Sequence, residues 1–233
     1  MTAAIGIMCK APQPGRTKTR LAAMIGPEAA AALSACFLRD IAATIEALPG
    51  HLGCKGYGIY APAGAEAELR RIFPLSFDLV LQADAEFGNV LHGAARHLLT
   101  AGHDCVALVN GDSPTLPPSL LTEAINALRR PGDRLVLGPA SDGGYYLIGL
   151  KAPHRHLFMD IPWGTATVAR STLERASQIG LETMLLAEWY DVDDATTLAW
   201  LRGELAGHSD RFKDGGAAAA TRAYLATMTT AAK

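Results

Sequence analysis

The chain has 233 residues, of which 49% are hydrophobic and 19% are charged, as in a globular protein with one sizeable core. The formal net charge is −2, so an anionic ligand must be held by a local cluster of cations, and nucleic acid is not an expected partner. The four cysteines lack C-x-x-C spacing, which argues against a disulfide framework or a zinc knuckle. Without a signal-peptide pattern or a membrane-spanning apolar stretch, the sequence predicts a cytoplasmic protein with no membrane span.

Short apolar runs alternate along the chain with longer segments of helical periodicity. The runs 3–9 and 104–110 are apolar without alternation, which is typical of strands covered on both faces of a parallel sheet. The order therefore predicts an α/β sandwich. The other predicted strands are 54–61, 77–82, 134–140, 145–150 and 183–189, and the predicted helices are 27–48, 64–73, 89–101, 118–130 and 166–180.

Two glycine-rich segments interrupt this pattern. The segment SDGG at 141–144 separates two predicted strands and indicates a hairpin inserted into an otherwise parallel order. Gly215 and Gly216 precede an Ala-rich end and mark a hinge. We expect one domain over residues 1–210 and a C-terminal helix or tail over 211–233; the sequence does not indicate an oligomeric state.

The first candidate site is the segment KAPQPGRTKTR at 10–20, directly after the first predicted strand. Ligands of open α/β sheets bind beyond the carboxyl ends of the strands. Gly15 can bring backbone N–H groups close to a phosphate. A solvated loop is the alternative, and the P-loop glycine before the lysine is missing. The cations that would hold phosphate are Lys10, Arg16, Lys18 and Arg20.

The cations of this loop are expected to be exposed, because no acidic residue is near them in the sequence. Replacing Lys18 or Arg20 should then weaken nucleotide binding and change stability little, since exposed charges contribute little to folding.

The second candidate is Asp112 in NGDSPTLP at 110–117, at the end of an apolar strand. A carboxylate on a rigid element is a hard oxygen ligand suited to Mg²⁺ or Mn²⁺ that bridges phosphates. The alternative is that Asp112 only closes the turn before the next helix. Its neighbour Ser113 is a candidate contact for the acceptor or sugar.

The third candidate is the acidic segment WYDVDDATTL at 189–198. Asp194 is a plausible N-cap of a short helix, which explains one carboxylate. Asp191 and Asp193 stay unexplained, and clustered carboxylates repel each other unless a cation compensates them. The sequence therefore favours a second metal ligand in this segment.

Two further residues have either a structural role or a binding role. Asp142 is an ordinary residue for a hairpin turn, but next to Gly143 and Gly144 it could also contact a sugar or phosphate close to the backbone. Trp163, beside Pro162, could stack on a sugar ring or fill the core.

Five motifs, in order and over nearly the whole chain, resemble the bacterial glycosyltransferase-like family of radical-SAM/selenodomain-associated transferases. They are K-x-P-x-P-G-x-x-K-T-R-L (10–21), N-G-D-S-P-T-L-P (110–117), S-D-G-G-Y-Y-L-I-G-L (141–150), I-P-W-G-T-x-x-V (161–168) and D-V-D (191–193). That family belongs to the nucleotide-diphospho-sugar transferase superfamily with the GT-A fold. The resemblance implies a Rossmann-like three-layer sandwich with a mixed, mostly parallel central sheet.

The resemblance also implies the ligands and the site. A nucleotide sugar or nucleoside triphosphate, a small-molecule acceptor and Mg²⁺ or Mn²⁺ would bind. Lys18 and Arg20 would hold phosphates, Asp112 stands where the superfamily keeps its metal aspartate, and Asp193 stands where it often keeps a second ligand. Asp112 and Asp142 are the predicted catalytic residues, and Ser113, Gly143, Gly144 and Trp163 the predicted acceptor or sugar contacts.

Three functions stay open at the level of sequence. The leading interpretation is a metal-dependent, glycosyltransferase-like enzyme with a nucleotide-diphospho-sugar donor. The second is a nucleotidyltransferase, of guanylyl or cytidylyl type, that acts on a small phosphorylated acceptor and releases pyrophosphate. The third is a non-catalytic nucleotide-binding module. Both reactions leave negative charge on a departing phosphate, which a metal on Asp112 and the cations of residues 10–20 would stabilise.

Overall fold

A computed structural model describes residues 2–231, and in this range seven strands form one sheet. Met1 of the predicted domain and residues 232–233 of the predicted tail lie outside the described residues. The strands are β1 (Ala3–Lys10), β2 (Cys54–Ala61), β3 (Asp78–Leu81), β4 (Cys105–Asn110), β5 (Arg134–Pro139), β6 (Tyr145–Leu150) and β7 (Glu182–Leu185). The helices are α1 (Thr19–Ile25), α2 (Pro27–Glu46), α3 (Glu66–Leu69), α4 (Phe87–Thr100), α5 (Pro118–Arg129), α6 (Val168–Gln178), α7 (Ala195–Leu205) and α8 (Ala219–Ala231).

The sheet has the strand order β3-β2-β1-β4-β6-β5-β7. Strand β6 runs antiparallel to its neighbours β4 and β5, and the other pairs are parallel. The mixed, mostly parallel sheet and the hairpin between β5 and β6 are therefore confirmed.

Two hydrophobic cores cover the two faces of the sheet. In β1, Ile5 and Ile7 belong to one core and Ala4 to the other; in β4, Ala107 belongs to the first core and Leu108 to the second. Because successive side chains of a strand point to opposite faces, this division requires a helical layer on each side. Helices α2 and α5 pack on one face and α4 and α6 on the other, which confirms the three-layer sandwich.

Two helices differ from the sequence prediction. Helix α1 begins at Thr19, inside the predicted loop 10–20, and Leu21 is its one buried side chain in a helix of seven residues. So short a helix carries too little periodicity to be recognised. The predicted helix 64–73 is only four residues long, and the chain beyond it continues in turns that bury Ile72 and Phe73.

Strand β7 ends four residues before the predicted end at 189. The chain still runs beside β5, because the Leu186 N–H donates to the Leu137 carbonyl and the Trp189 N–H to the Pro139 carbonyl. The ladder is interrupted between them, where the Tyr146 hydroxyl donates to the Ala187 carbonyl at 2.9 Å.

The Ala-rich end forms helix α8, which packs on α2. Its start is held by Asp40, a buried residue of α2, whose two carboxylate oxygens accept from the backbone N–H groups of Ala220 and Thr221, both at 2.8 Å. Asp40 thus satisfies amide groups that the first turn of a helix leaves unpaired. The predicted boundary at residue 210 stays a prediction.

No helix in the range 2–231 is long and apolar enough to cross a membrane. The thiols of the four cysteines are free.

We predict that Asp40→Ala lowers the free energy of unfolding by about 1–3 kcal/mol, because two backbone N–H groups lose their acceptor in a buried place. Urea unfolding measures this loss. The matched control is Asp84→Ala, an exposed aspartate, whose unfolding midpoint should stay that of the wild type. Equal midpoints for both variants would show that the contact does not stabilise α8.

Candidate functional site

Four loops meet at one edge of the sheet, beyond the carboxyl ends of β1, β4, β5 and β7. They are residues 11–17, 111–117, 140–144 and 186–194. The first two follow β1 and β4, which are neighbours, and the third is the hairpin turn before β6. The Val192 N–H donates to the Asp112 carbonyl at 2.9 Å, which joins the last loop to the second. This is the edge where ligands of α/β sheets bind.

The loop after β1 is closed by Thr17. The buried Thr17 hydroxyl donates to the Ala11 carbonyl at 3.0 Å and accepts from the Gln13 N–H at 3.1 Å. Lys18 follows directly, in the left-handed region with φ 52°. A lysine adopts this backbone conformation only where its surroundings hold it there.

Those surroundings are two aspartates from distant parts of the chain. The Lys18 Nζ lies 2.8 Å from Asp112 Oδ1 and 2.6 Å from Asp193 Oδ1, and it donates to the Val192 carbonyl at 2.7 Å. An ammonium group has three N–H donors, so the protein itself supplies an acceptor for each. Arg20 contacts the other Asp193 oxygen, with Nη2 2.7 Å from Oδ2.

The expectation that the loop cations are exposed is therefore wrong for Lys18, whose side chain is only 5% exposed, and holds for Arg20, at 68%. Burial opposes the charged form of Lys18, but Asp112 and Asp193 outweigh it, and the pKa of Lys18 is raised above its usual value. Sequence alone could not show this pairing, because the acidic partners lie far along the chain.

Asp191 precedes Asp193 in the same loop and lines neither of the two cavities described below, and the sequence patterns assigned it no specific role. Burial raises the pKa of its carboxyl to about 7, with further contributions from the charges of Asp193 and Asp142. Asp194, by contrast, caps α7 as expected, because its Oδ1 accepts from the Thr197 N–H at 3.0 Å. The signal for Asp191 was present in the cluster of three carboxylates, which a single cap does not explain.

A cavity of about 420 Å³, here called the cationic pocket, lies beside this ion pair. The structure brings together four of the five predicted phosphate contacts in its wall. Gly15 is exposed, with φ 73°, and is absent from that wall. The charged residues that line the pocket are Lys10, Arg16, Lys18, Arg20, Asp112 and Asp193.

A second cavity of about 480 Å³, here called the aromatic pocket, adjoins the first. Trp163 is half-buried in its wall, with its ring centroid 5.0 Å from Phe87 and 6.4 Å from Tyr145, both edge-to-face. Asp142 lies in the same wall. The two pockets are halves of one cleft, because they share the lining residues Met8, Arg20, Phe87, Asn110 and Asp193.

The hairpin turn at 140–144 positions Asp142. Gly143 has φ 88°, and a side chain there would collide with the Ala166 carbonyl, so both backbone conformation and space require glycine. The Gly144 N–H donates to Asp142 Oδ1 at 2.8 Å. Ser113 is not in the wall of either pocket: its side chain is fully buried, and its hydroxyl has no partner among the described residues.

Asp112 and Asp193, which form ion pairs with Lys18, are also the predicted metal ligands. Their carboxylates converge on one positive charge and are partly exposed, at 39% for Asp112 and 29% for Asp193. Mg²⁺ is usually bound by one or two carboxylates together with substrate phosphates and water. In the range 2–231 no three acidic, His or Cys side chains group around a metal position. Two carboxylates would supply only part of the coordination shell of such an ion.

The whole chain is similar to solved structures of one fold. A protein from Desulfovibrio desulfuricans G20, assigned as a nucleotide-diphospho-sugar transferase, has a TM-score of 0.82 and 28% identity, over 99% of this chain and 98% of that chain. This similarity confirms the predicted fold and superfamily, and it supports the predicted transferase class.

Two further solved structures share the fold at lower identity. A CMP:2-keto-3-deoxy-manno-octonic acid synthetase in complex with CTP has a TM-score of 0.58 and 12% identity, over 90% of this chain and 100% of that chain. Glucosyl-3-phosphoglycerate synthase from Mycobacterium tuberculosis, with Mn²⁺, uridine diphosphate and glucosyl-3-phosphoglycerate, has a TM-score of 0.52 and 12% identity, over 98% and 79%.

No curated protein sequence matches this chain. Residues 44–165 match the family DUF2064, which is described as uncharacterized protein conserved in bacteria. The matched segment covers more than half of the chain and includes β4, Asp112 and the hairpin turn with Asp142. The chain therefore belongs to the DUF2064 family.

Proposed function

We propose that this protein is a metal-dependent transferase that uses a nucleotide-diphospho-sugar donor. The observation that carries the proposal is the division of one cleft into a cationic and an aromatic half, which adjoin at Arg20 and Asp193. A nucleotide sugar has the same division, because its diphosphate is anionic and its sugar ring has apolar C–H faces.

In this proposal the cationic pocket binds the diphosphate. Lys10 and Arg16 are exposed and have no ion pair among the described residues, so their charges are available to phosphate oxygens. Arginine suits phosphate because its planar guanidinium can donate two parallel hydrogen bonds. Arg20 lies where the two halves of the cleft meet. In this proposal it would contact the phosphate that leaves with the nucleotide.

Asp112 and Asp193 would hold Mg²⁺ or Mn²⁺ in this proposal, and the ion would supply positive charge for the leaving diphosphate. The Mn²⁺ in glucosyl-3-phosphoglycerate synthase supports a divalent ion in this fold. Lys18 then has two roles: it neutralises the carboxylates before the ion and nucleotide bind, and its charge stays beside the phosphates afterwards.

The aromatic pocket would bind the sugar, with Trp163 and Phe87 against its C–H faces. Asp142 has a second carboxylate oxygen that makes no hydrogen bond among the described residues. That oxygen would accept a hydrogen bond from a sugar or acceptor hydroxyl and orient it for transfer.

The reaction products test the proposal. We predict that the protein with Mn²⁺ releases UDP or GDP from a UDP- or GDP-sugar while the sugar is transferred to the hydroxyl of a small acceptor or, more slowly, to water. Chromatography of the nucleotides measures this release, and Asp112→Asn should lose it because the amide gives up the charge that holds the ion. Release of pyrophosphate from a nucleoside triphosphate and a sugar phosphate would instead support the nucleotidyltransferase. Binding of nucleotide with neither product would favour the non-catalytic module.

We predict that Arg16→Ala weakens the binding of UDP or GDP about tenfold, because one charge-assisted contact to phosphate is lost. Isothermal titration calorimetry measures the affinity. Arg16 is exposed, so the thermal midpoint should change little. Arg71→Ala, another exposed arginine, is the matched control and should bind like the wild type. Equal affinities in both variants would exclude Arg16 from the phosphate site.

Lys18→Met tests the metal site without measuring activity. We predict a loss of about 3 kcal/mol of stability, because two carboxylates lose their shared buried cation. We also predict that Mn²⁺ raises the melting temperature of Lys18→Met more than that of the wild type, since the ion can replace the ammonium.

Two controls accompany this test. Lys55→Met removes an exposed ion pair with Asp78, whose charged atoms lie 3.3 Å apart. This variant should lose little stability, and Mn²⁺ should not change its melting temperature. In the double variant Lys18→Met/Asp112→Asn, Mn²⁺ should no longer raise the melting temperature. A melting temperature of Lys18→Met that Mn²⁺ does not change, either alone or together with UDP or GDP, would contradict metal binding by these aspartates.

A further inference from the structure

The two halves of the cleft carry opposite net charge. Four cations and two carboxylates line the cationic pocket. Among the described residues that line the aromatic pocket, Arg20 is the only cation, whereas two residues, Asp142 and Asp193, carry a carboxylate. A phosphate is therefore attracted to one half, and the other half has a surplus of negative charge.

The surplus of negative charge in the aromatic pocket comes from Asp142. In the shared wall, Arg20 and Asp193 neutralise each other through the contact of 2.7 Å. Asp142 is exposed and has no ion pair among the described residues; its one hydrogen bond comes from the Gly144 N–H.

The rest of the wall is apolar and aromatic. Phe87 is 49% exposed although it is a large hydrophobic residue, and its ring lies edge-to-face with Trp163 at an interplanar angle of 89°. Gly88, next to Phe87, leaves no room for a side chain, because a Cβ there would lie 2.5 Å from the Phe158 carbonyl oxygen, and it would also press on the Trp163 indole nitrogen at 3.1 Å. The aromatic rings are thus held in position on the cleft, where a ring with apolar C–H faces can pack against them.

We propose that the aromatic pocket selects an uncharged sugar ring and excludes sugars that carry a carboxylate or a phosphate, and that Asp142 is the residue that discriminates. This inference rests on the proposed function, because it names the class of sugar that the donor carries. A neutral ring can donate a hydroxyl hydrogen bond to the free oxygen of Asp142. An anionic ring would bring its charge against the carboxylate of Asp142, which has no ion pair among the described residues.

The test compares nucleotide sugars that differ only at C6 of the sugar, which is a neutral hydroxymethyl group in one and a carboxylate in the other. The pairs are UDP-glucose with UDP-glucuronic acid and GDP-mannose with GDP-mannuronic acid, titrated in the presence of Mn²⁺ by calorimetry, with UDP and GDP as references. We expect the neutral member to bind at least about tenfold more tightly than its acidic counterpart in the pair that the protein accepts.

Asp142→Asn should bring the ratio of the affinities for the neutral and the acidic nucleotide sugar close to one, because the amide removes the charge and keeps the shape. Asn-Gly is as suitable as Asp-Gly in such a turn, so the variant should keep the hairpin and a wild-type melting temperature. Asp142→Lys should reverse the preference. Asp210→Asn, an exposed aspartate outside both pockets, is the matched control and should keep the wild-type ratio.

The outcomes separate the inference from the proposed function. Equal or tighter binding of the acidic sugars would overturn the selection of a neutral ring and leave a nucleotide-sugar enzyme. A large ratio that Asp142→Asn does not change would overturn the role of Asp142. No binding of UDP, GDP or any of the four nucleotide sugars would contradict the proposed function, and the inference with it.

Discussion

The ammonium group of Lys18 between Asp112 and Asp193 is the contact on which the candidate site depends. It joins positions 175 residues apart, and it connects the loop after β1 to the loops that follow β4 and precede α7. Without that charge, two carboxylates would face each other at the edge of the sheet and repel. The positive φ of Lys18 follows from the same requirement, because the side chain must reach both carboxylates from the turn that Thr17 closes.

The same contact explains why neighbouring carboxylates differ in how far a cation neutralises them. Arg20 takes the second oxygen of Asp193, so the charge of that carboxylate is balanced on both sides. Asp142 and Asp191 receive no such partner among the described residues, and burial among like charges keeps the pKa of Asp191 near 7. One edge of the sheet therefore holds both a neutralised acidic pair and acidic groups with little compensation, which is an arrangement typical of sites that bind ligands.

The sequence predicted the sheet and most of its helices because their patterns are local. Uninterrupted apolar strands such as β4, the glycine turn at 141–144 and the cap at Asp194 each follow from a few adjacent residues. The burial of Lys18 could not be predicted, because its partners come from other loops. The contact of Ser113 with an acceptor or sugar stays a prediction, and the sequence did not indicate that tertiary packing buries its side chain completely. Helix α1 was missed because a single buried leucine creates no periodicity.

The reversed direction of β6 accounts for the second half of the cleft. A parallel β6 would bring its carboxyl end to the edge where β1 and β4 end; the antiparallel strand brings its start there instead, together with the turn that precedes it. That turn carries Asp142, and Tyr145 at the start of β6 forms part of the aromatic wall. Cations after β1 and an acidic turn before β6 thus lie on the two sides of β4. The opposite character of the two pockets is a consequence of strand order and direction, and the side chains at the shared wall determine where one pocket ends and the other begins.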